Sequence, residues 1–502
     1  MPRIACLAAH SFSLAARLRA EPELRGESLA ILHRDGTMER VAAASRPARR
    51  AGVRPGLTLP QARALLPDLV VRHRDPICER AAQEALLEAA EGFSPRVEDA
   101  GEGVAYLDLE GLDRHFPGGS FELDLGRSLL AAAAAVGLPA RAGIGGSKLA
   151  ARVAADLPDS PVVVPAGGEA AFLAPLSLDR LTPPAELDAT LRVWGVRVVG
   201  DFARLPEDDV ADRLGRAGRE LHAAARGIDP RPLIPREPPP TLQEGMELEW
   251  ALTALEPFLF VGRGALERLC QRLESRGLAC ARLQLDLRLD PEGHLTRTLD
   301  LPAPLRDPKA LLTLVRLDLE AHPPQAPAVG FTFTAHPGRL RETQLSLFGP
   351  AALSPDQLAA TLGRLAAIVG PDRVGSPGLV DGFLPERFAL DTYAPPAPPE
   401  APCEPRGGSG RFTVRVVRPA VEVEVITGAG EIPIEVRSES SRGPRIQGRV
   451  RTASGPWELE EGWWGEGAAE REYWDVELSD QGIYRLFREP ESGTWFADGI
   501  YD

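Results

Sequence analysis

Long apolar runs are missing from this chain of 502 residues. The longest, such as the stretch from Leu129 to Leu138, fall well short of the roughly 20 residues that cross a bilayer. A basic-then-apolar signal pattern is also missing at the start, so the expectation is a soluble, cytoplasmic protein with no membrane partner. Cysteine is scarce: Cys6, Cys78, Cys270, Cys280 and Cys403 are scattered without a close C-x-x-C pair, and their odd number argues against a disulfide framework. This gives zinc or redox chemistry no footing, and neither a metal nor a cofactor is expected. Lysine occurs only at Lys148 and Lys309, so arginine carries nearly all the positive charge, a compositional habit without functional meaning of its own. The net charge of -15 argues against a uniformly basic phosphate-binding surface, although a total says nothing about distribution.

At roughly 100 to 200 residues per domain, the length corresponds to about three to five domains. The first 165 residues mix short strands and helices: strands at Arg3 to Leu7, Ser28 to His33, Ser94 to Asp99, Gly103 to Leu109 and Ala140 to Ile144. Helices are predicted over Asp75 to Phe93, Asp124 to Gly137 and Lys148 to Asp156. This pattern predicts an α+β sheet domain with helices on one face. From Gly168 to Arg236 there are only short helices broken by Gly and Pro. Strands return at Glu244 to Trp250, Cys280 to Leu289, His294 to Leu301 and Ala328 to Ala335, with helices at Phe260 to Arg276 and Pro308 to His322. We read these as two strands and a helix, twice over, in a compact sheet with helices on one face. Residues 393–410 are rich in Pro and then Gly, as a linker is. Beyond them, 411–502 alternates Val and Ile with charge and holds five of the seven tryptophans, which predicts a small β-rich domain.

The segment from Leu191 to Pro206 carries the first motif. Two short helices joined by a glycine-bounded turn (Gly195, Val196, Arg197, Gly200) form a helix-hairpin-helix pattern, whose outward N–H groups accept phosphate oxygens. The plain alternative is a helical hairpin packed for stability. Arg216 and Arg219, in Gly215-Arg216-Ala217-Gly218-Arg219, add positive charge downstream and favour DNA. Two further blocks are Phe93-Ser94-Pro95-Arg96-Val97-Glu98 leading to Ala105-Tyr106-Leu107-Asp108, and Ala142-Gly143-Ile144-Gly145-Gly146-Ser147-Lys148-Leu149-Ala150.

In this order and spacing the three blocks resemble the Y-family translesion DNA polymerases over roughly residues 1–350. The resemblance implies a palm (1–25 and 76–165), fingers (26–75), a helix-hairpin-helix thumb (166–236), a little finger (241–343) and a grip on primer-template DNA. A helical extension (351–392), the linker (393–410) and the C-terminal domain (411–502) lie beyond. Nucleotidyl transfer needs Mg²⁺ ions clamped by carboxylates, which the family places on the first strand and in an Asp-Glu pair before Ala-Tyr-Leu-Asp. Aligning Phe12 and Ala105-Tyr106-Leu107-Asp108 with the family puts Ala8, Gly103 and Val104 at those three positions. None can ligate a hard cation. The sequence thus resembles the catalytically inactive, ImuB-type branch of the family. The rival expectation is an active polymerase using displaced carboxylates, Glu102 and Asp108. Lys148 matches a family lysine near the triphosphate, and we expect it either to touch phosphate or only to cap its helix.

Gln344-Leu345-Ser346-Leu347-Phe348 looks like the bacterial sliding-clamp-binding pentapeptide. Leu347 and Phe348 would fill an apolar pocket while Gln344 bonds at its rim; the bland reading is an edge strand with Leu345, Leu347 and Phe348 in its core. Residues 403–502 carry 19 Asp and Glu against 12 Arg. Such acidity disfavours DNA, and the aromatic cluster suits protein docking. Trp463, Trp464 and Trp495 are the candidate partner contacts, the bland reading being that about half of the tryptophans form the domain's core. The resemblance implies two partners, an error-prone C-family DNA polymerase and a RecA-like accessory protein, in a nucleoid-associated complex induced by DNA damage (SOS response).

Overall fold

The computed structural model describes residues 3–115, 121–339, 355–384, 387–391, 413–438, 445–462 and 468–501. The chain divides into two compact units, Met1–Ile368 and Val369–Asp502.

The first unit opens with β1 (Ile4–Ala8), α1 (Phe12–Ala20), β2 (Leu29–Asp35), β3 (Met38–Ala44), α2 (Arg46–Arg50), α3 (Leu59–Leu65) and β4 (Val70–His73). It continues with α4 (Pro76–Glu91), β5 (Val97–Gly101), β6 (Val104–Asp108), α5 (Phe121–Ala135), β7 (Arg141–Gly145), α6 (Lys148–Ala155) and β8 (Val162–Val163). The main sheet runs β5-β6-β1-β7-β8, and a smaller one runs β3-β2-β4. β1 is central and buried along its whole length, so it is covered on both faces. Ala5 and Leu7 pack under α4 and α5, while Ile4, Cys6 and Ala8 pack against Ala151 and Ala155 of α6. That corrects the expectation of helices on one face: the small residues of α6 let it press on the far side. A Cβ on Gly143 of β7 would lie 2.2 Å from the Ala151 carbonyl oxygen. α4 starts where the Asp75 carboxylate accepts from the N–H groups of Ile77 and Cys78 with Pro76 behind it.

Four helices follow: α7 (Glu169–Leu173), α8 (Ala185–Val193), α9 (Val199–Ala203) and α10 (Glu207–Ala225), around a core that includes Leu191, Val199 and Phe202. α10 breaks at Gly215, whose φ of +66° is not helical.

Next come β9 (Leu242–Leu252), α11 (Leu255–Ser275), β10 (Leu278–Leu289), β11 (His294–Leu305), α12 (Pro308–Ala321) and β12 (Ala328–Arg339), in an antiparallel sheet of order β11-β10-β12-β9. The sequence order is therefore strand, helix, two strands, helix, strand, not the two-strands-then-helix order expected. Both helices pack into one core with Phe258, Phe331 and Phe333. This domain is tied to the first by buried ions. Glu244 of β9 accepts from Arg19 of α1 at 2.7 Å, and from Arg272 at 3.0 Å and Arg268 at 3.1 Å on α11. Arg272 also forks onto Glu88 of α4 at 2.6 and 2.7 Å.

α13 (Pro355–Val369) ends the first unit, so the expected helical extension over 351–392 is shared between the two units. The second unit holds a short hairpin, β13 (Ser376–Gly378) with β14 (Ala389–Asp391), and a six-stranded closed barrel. Its strands are β15 (Val414–Thr427), β16 (Pro433–Arg437), β17 (Gly448–Glu461), β18 (Ala469–Leu478), β19 (Ile483–Arg488) and β20 (Trp495–Tyr501). The architecture is thus an α+β multidomain body with a helical thumb-like part, a second α/β sheet domain and a C-terminal β-rich domain.

Candidate functional site

The three positions that sequence alignment marks do converge. Ala8 at the end of β1 stands opposite Val104 at the start of β6, and the N–H of Ala9 donates to the Gly103 carbonyl at 2.8 Å. Of the three, Ala8 lines a cavity of about 310 Å³ shared by His10, Phe12, Arg74, Glu102 and Arg152. Gly103 is locked by its surroundings. Its φ is +82°, and a Cβ there would lie 2.6 Å from the Phe12 ring and 2.9 Å from the Ala9 carbonyl oxygen. A carboxylate side chain at 103 would have to displace that ring.

The residues present do not fit a divalent cation. The side chains of Ala8 and Val104 have no donor atoms, and two arginines and one carboxylate face the cavity. Glu102 sits in the β5–β6 turn at φ +45°, largely exposed, 3.8 Å from Arg74. Arg74 itself is held by Glu79 at 2.5 Å. His10 pairs with Asp156 at 3.2 Å. The second displaced candidate, Asp108, is at the far end of β6, opposite Ile4, about 13 Å along the strand from Val104. It is engaged by Arg96 at 2.7 Å and caps the N–H of Glu110. Glu102 and Asp108 are therefore not brought together. Among the described residues no group of three His, Cys, Asp or Glu side chains is placed to hold a metal ion.

Lys148 is neither a free phosphate contact nor the helix cap. Ser147 caps α6, accepting from the Ala150 N–H. The Lys148 ammonium is buried, 2.7 and 3.0 Å from the two oxygens of Glu98 and 5.6 Å from the centre of the Tyr106 ring. Glu98 also accepts the Ile234 N–H at 2.6 Å, so this pair ties the irregular segment leaving the thumb to the sheet. Cys6, on the Ala8 face of β1, has its thiol pushed up to about 12 by burial and stays protonated.

In the thumb, the N–H groups expected to point outward are spent inside. Gly195 donates to Arg192, Val196 to Leu191 and Gly200 to Ala174. Gly195, at φ +80°, closes α8, and Gly200 lets α9 approach Ala174, whose oxygen would lie 2.9 Å from a Cβ. Three of the four expected donors are thus used within a packed hairpin, and arginine side chains face solvent around it. Arg197 and Arg219 are exposed, and exposed Arg216 pairs with Glu220 at 2.7 Å.

The pentapeptide residues Gln344, Leu345, Leu347 and Phe348, together with Trp463 and Trp464, lie outside the described residues. Trp495 is a correction: it is buried in the barrel core with Trp474, Val423 and Leu486, because its β20 position points inward. Sequence reasoning missed the apolar side chains displayed beside the barrel, Leu379, Val380 and Phe383; their signal was an apolar cluster punctuated by glycines with no helical or strand period.

Residues 7–156 match the model of the impB/mucB/samB family. The protein ImuB of Caulobacter vibrioides is 29% identical over 468 residues, covering 90% of this chain and all of that protein. A DNA polymerase IV of Dehalococcoides mccartyi is 30% identical over 294 residues, covering 57% of this chain and 74% of the polymerase. The chain belongs to the Y family, among its ImuB-type members. Solved structures of Dbh DNA polymerase and of DinB from Sulfolobus solfataricus align with TM-scores of 0.41 at 16% identity, covering 66% and 67% of this chain and 98% of each of theirs. The polymerase IV match stops well short of this Y-family chain's full length, whereas the ImuB match extends over nearly all of it. No helix among the described residues is long and apolar enough to cross a membrane.

Proposed function

We propose that this Y-family chain is a non-catalytic adaptor of a DNA-damage-induced translesion complex in the cytoplasm, associated with the nucleoid. The observation that carries the reading is the convergence of Ala8, Gly103 and Val104: none of the three side chains carries an oxygen where the family's carboxylates stand. The body would hold primer-template DNA, with Arg197, Arg216 and Arg219 contacting phosphates. Gln344 to Phe348 would tether the chain to the sliding clamp, and the second unit would recruit an error-prone C-family polymerase and a RecA-like accessory protein. Linking clamp and polymerase in one chain makes the second contact intramolecular, which raises avidity by roughly 10² to 10⁴.

Primer extension with Mg²⁺ or Mn²⁺ tests the catalytic half. No templated incorporation is expected; incorporation that disappears in Glu102→Ala or Asp108→Ala would establish the displaced-carboxylate polymerase instead. Clamp binding tests the tether: Leu347→Ala with Phe348→Ala should abolish it, and unchanged affinity would remove the pentapeptide from the reading.

A further inference from the structure

The second unit contains a loop whose construction and surface are at odds. Between β13 and β14 the chain runs Leu379-Val380-Asp381-Gly382-Phe383-Leu384. Glu461, at the end of β17 and only 8% exposed, accepts the Phe383 N–H at 2.7 Å, the Leu384 N–H at 3.1 Å and the Arg387 guanidinium at 2.8 Å. Gly382 rides on that carboxylate so closely that a Cβ would lie 2.6 Å from its oxygen, and Gly378 lies closer still to the Asp391 carboxylate. Leu384 is buried and pins the far side. The backbone is therefore fixed by one carboxylate, two close-approach glycines and one apolar anchor.

What this scaffold presents is apolar. Leu379 is fully exposed, Phe383 is 82% exposed and Val380 is exposed between them. Ordering a loop costs backbone entropy at every residue, and holding large apolar side chains in water recovers none of it. A fixed loop with this surface is suited to a preformed pocket on another molecule, where the ordering has already been met. Charge narrows the partner. Residues 369–502 contain 24 Asp and Glu against 14 Arg and no Lys, a net of -10 out of -15 for the whole chain, and Asp381 sits at the centre of the loop.

We infer that Leu379, Val380 and Phe383 form a preorganised knob that inserts into an apolar pocket rimmed by basic side chains on a folded partner protein. This rests on the recruitment reading above, under which that partner is the C-family polymerase. Glu461 is a positioning residue: it holds the backbone that aims the knob and does not itself reach the partner.

The test measures affinity of the full-length chain for the purified C-family polymerase against salt, alongside sedimentation of the chain alone. Leu379→Ser with Phe383→Ser should weaken binding about 30-fold, the scale of two buried anchors, with the melting temperature unchanged because both side chains are exposed. Glu461→Gln should weaken it several-fold through looser aim and raise hydrogen exchange at the Phe383 and Leu384 amides, an effect that removal of the knob would not produce. Affinity should fall with salt. Wild-type affinity in the double variant would overturn the knob and leave the recruitment reading standing. No binding by the wild-type chain would overturn both. A concentration-dependent dimer lost in the double variant would assign the knob to a second copy of this chain and overturn the proposed partner.

Discussion

Gly103 shows how much one residue decides. A side chain there meets two obstacles, a backbone at φ +82° and the Phe12 ring 2.6 Å away. Gly103→Asp should therefore destabilise the protein by about 1–3 kcal/mol, read as a lower urea midpoint. Phe12→Ala in the same chain should recover part of that loss, by opening space while leaving the backbone strain. The identities of Ala8, Gly103 and Val104 were legible in the sequence because a short strand and an Ala-Tyr-Leu-Asp block fix their positions. The steric reason was not, since Phe12 reaches Gly103 only when β1 and β6 pair.

At the scale of elements, the contacts hidden from the sequence are those between distant charges. Arg19 and Glu244 are 225 residues apart, and Arg272 and Glu88 are 184 apart, so no local spacing announces them. Burial pushes the Glu244 carboxyl up, but the surrounding Arg19, Arg272 and Arg268 outweigh it and bring it down to about 2. A depressed carboxyl contributes stability that is whole above its unfolded value of 4.5 and is lost as pH falls toward about 2. Glu244→Gln should cost about 3–5 kcal/mol near neutrality, since it strands buried arginines. The gap between variant and wild type should narrow in urea titrations from about pH 5 to about pH 3. Lys148 teaches the same lesson: a lysine after Gly-Gly-Ser reads as a phosphate contact until Glu98, 50 residues earlier, is seen to hold it. By contrast, α4, α6 and the strands of the second sheet domain were legible within a few residues, because their apolar periods and caps are local.

For the whole molecule, the division into Met1–Ile368 and Val369–Asp502 falls before the proline-rich stretch that composition alone suggests as the boundary. Residues 369–391 belong with the barrel because Glu461 ties them to it, a contact spanning 77 and 78 residues. A fragment of residues 369–502 should therefore unfold in one cooperative transition in calorimetry, whereas a fragment starting at residue 411 should lose the ordered loop and melt lower. The alternation of Val and Ile with charge announced strands; of the tryptophans described in this domain, Trp474 and Trp495 lie inside, the latter against expectation, and Trp457 is half exposed. What alternation could not announce is that β15 closes on both β16 and β20. A ring of strands has few unpaired rims to lend. Most of the barrel wall therefore offers other molecules side chains, an exception among the described residues being the edge of β17 beyond its two-residue pairing with β16. The same closure leaves little template for cross-β aggregation, a safeguard for a strand-rich appendage that has to stay dispersed.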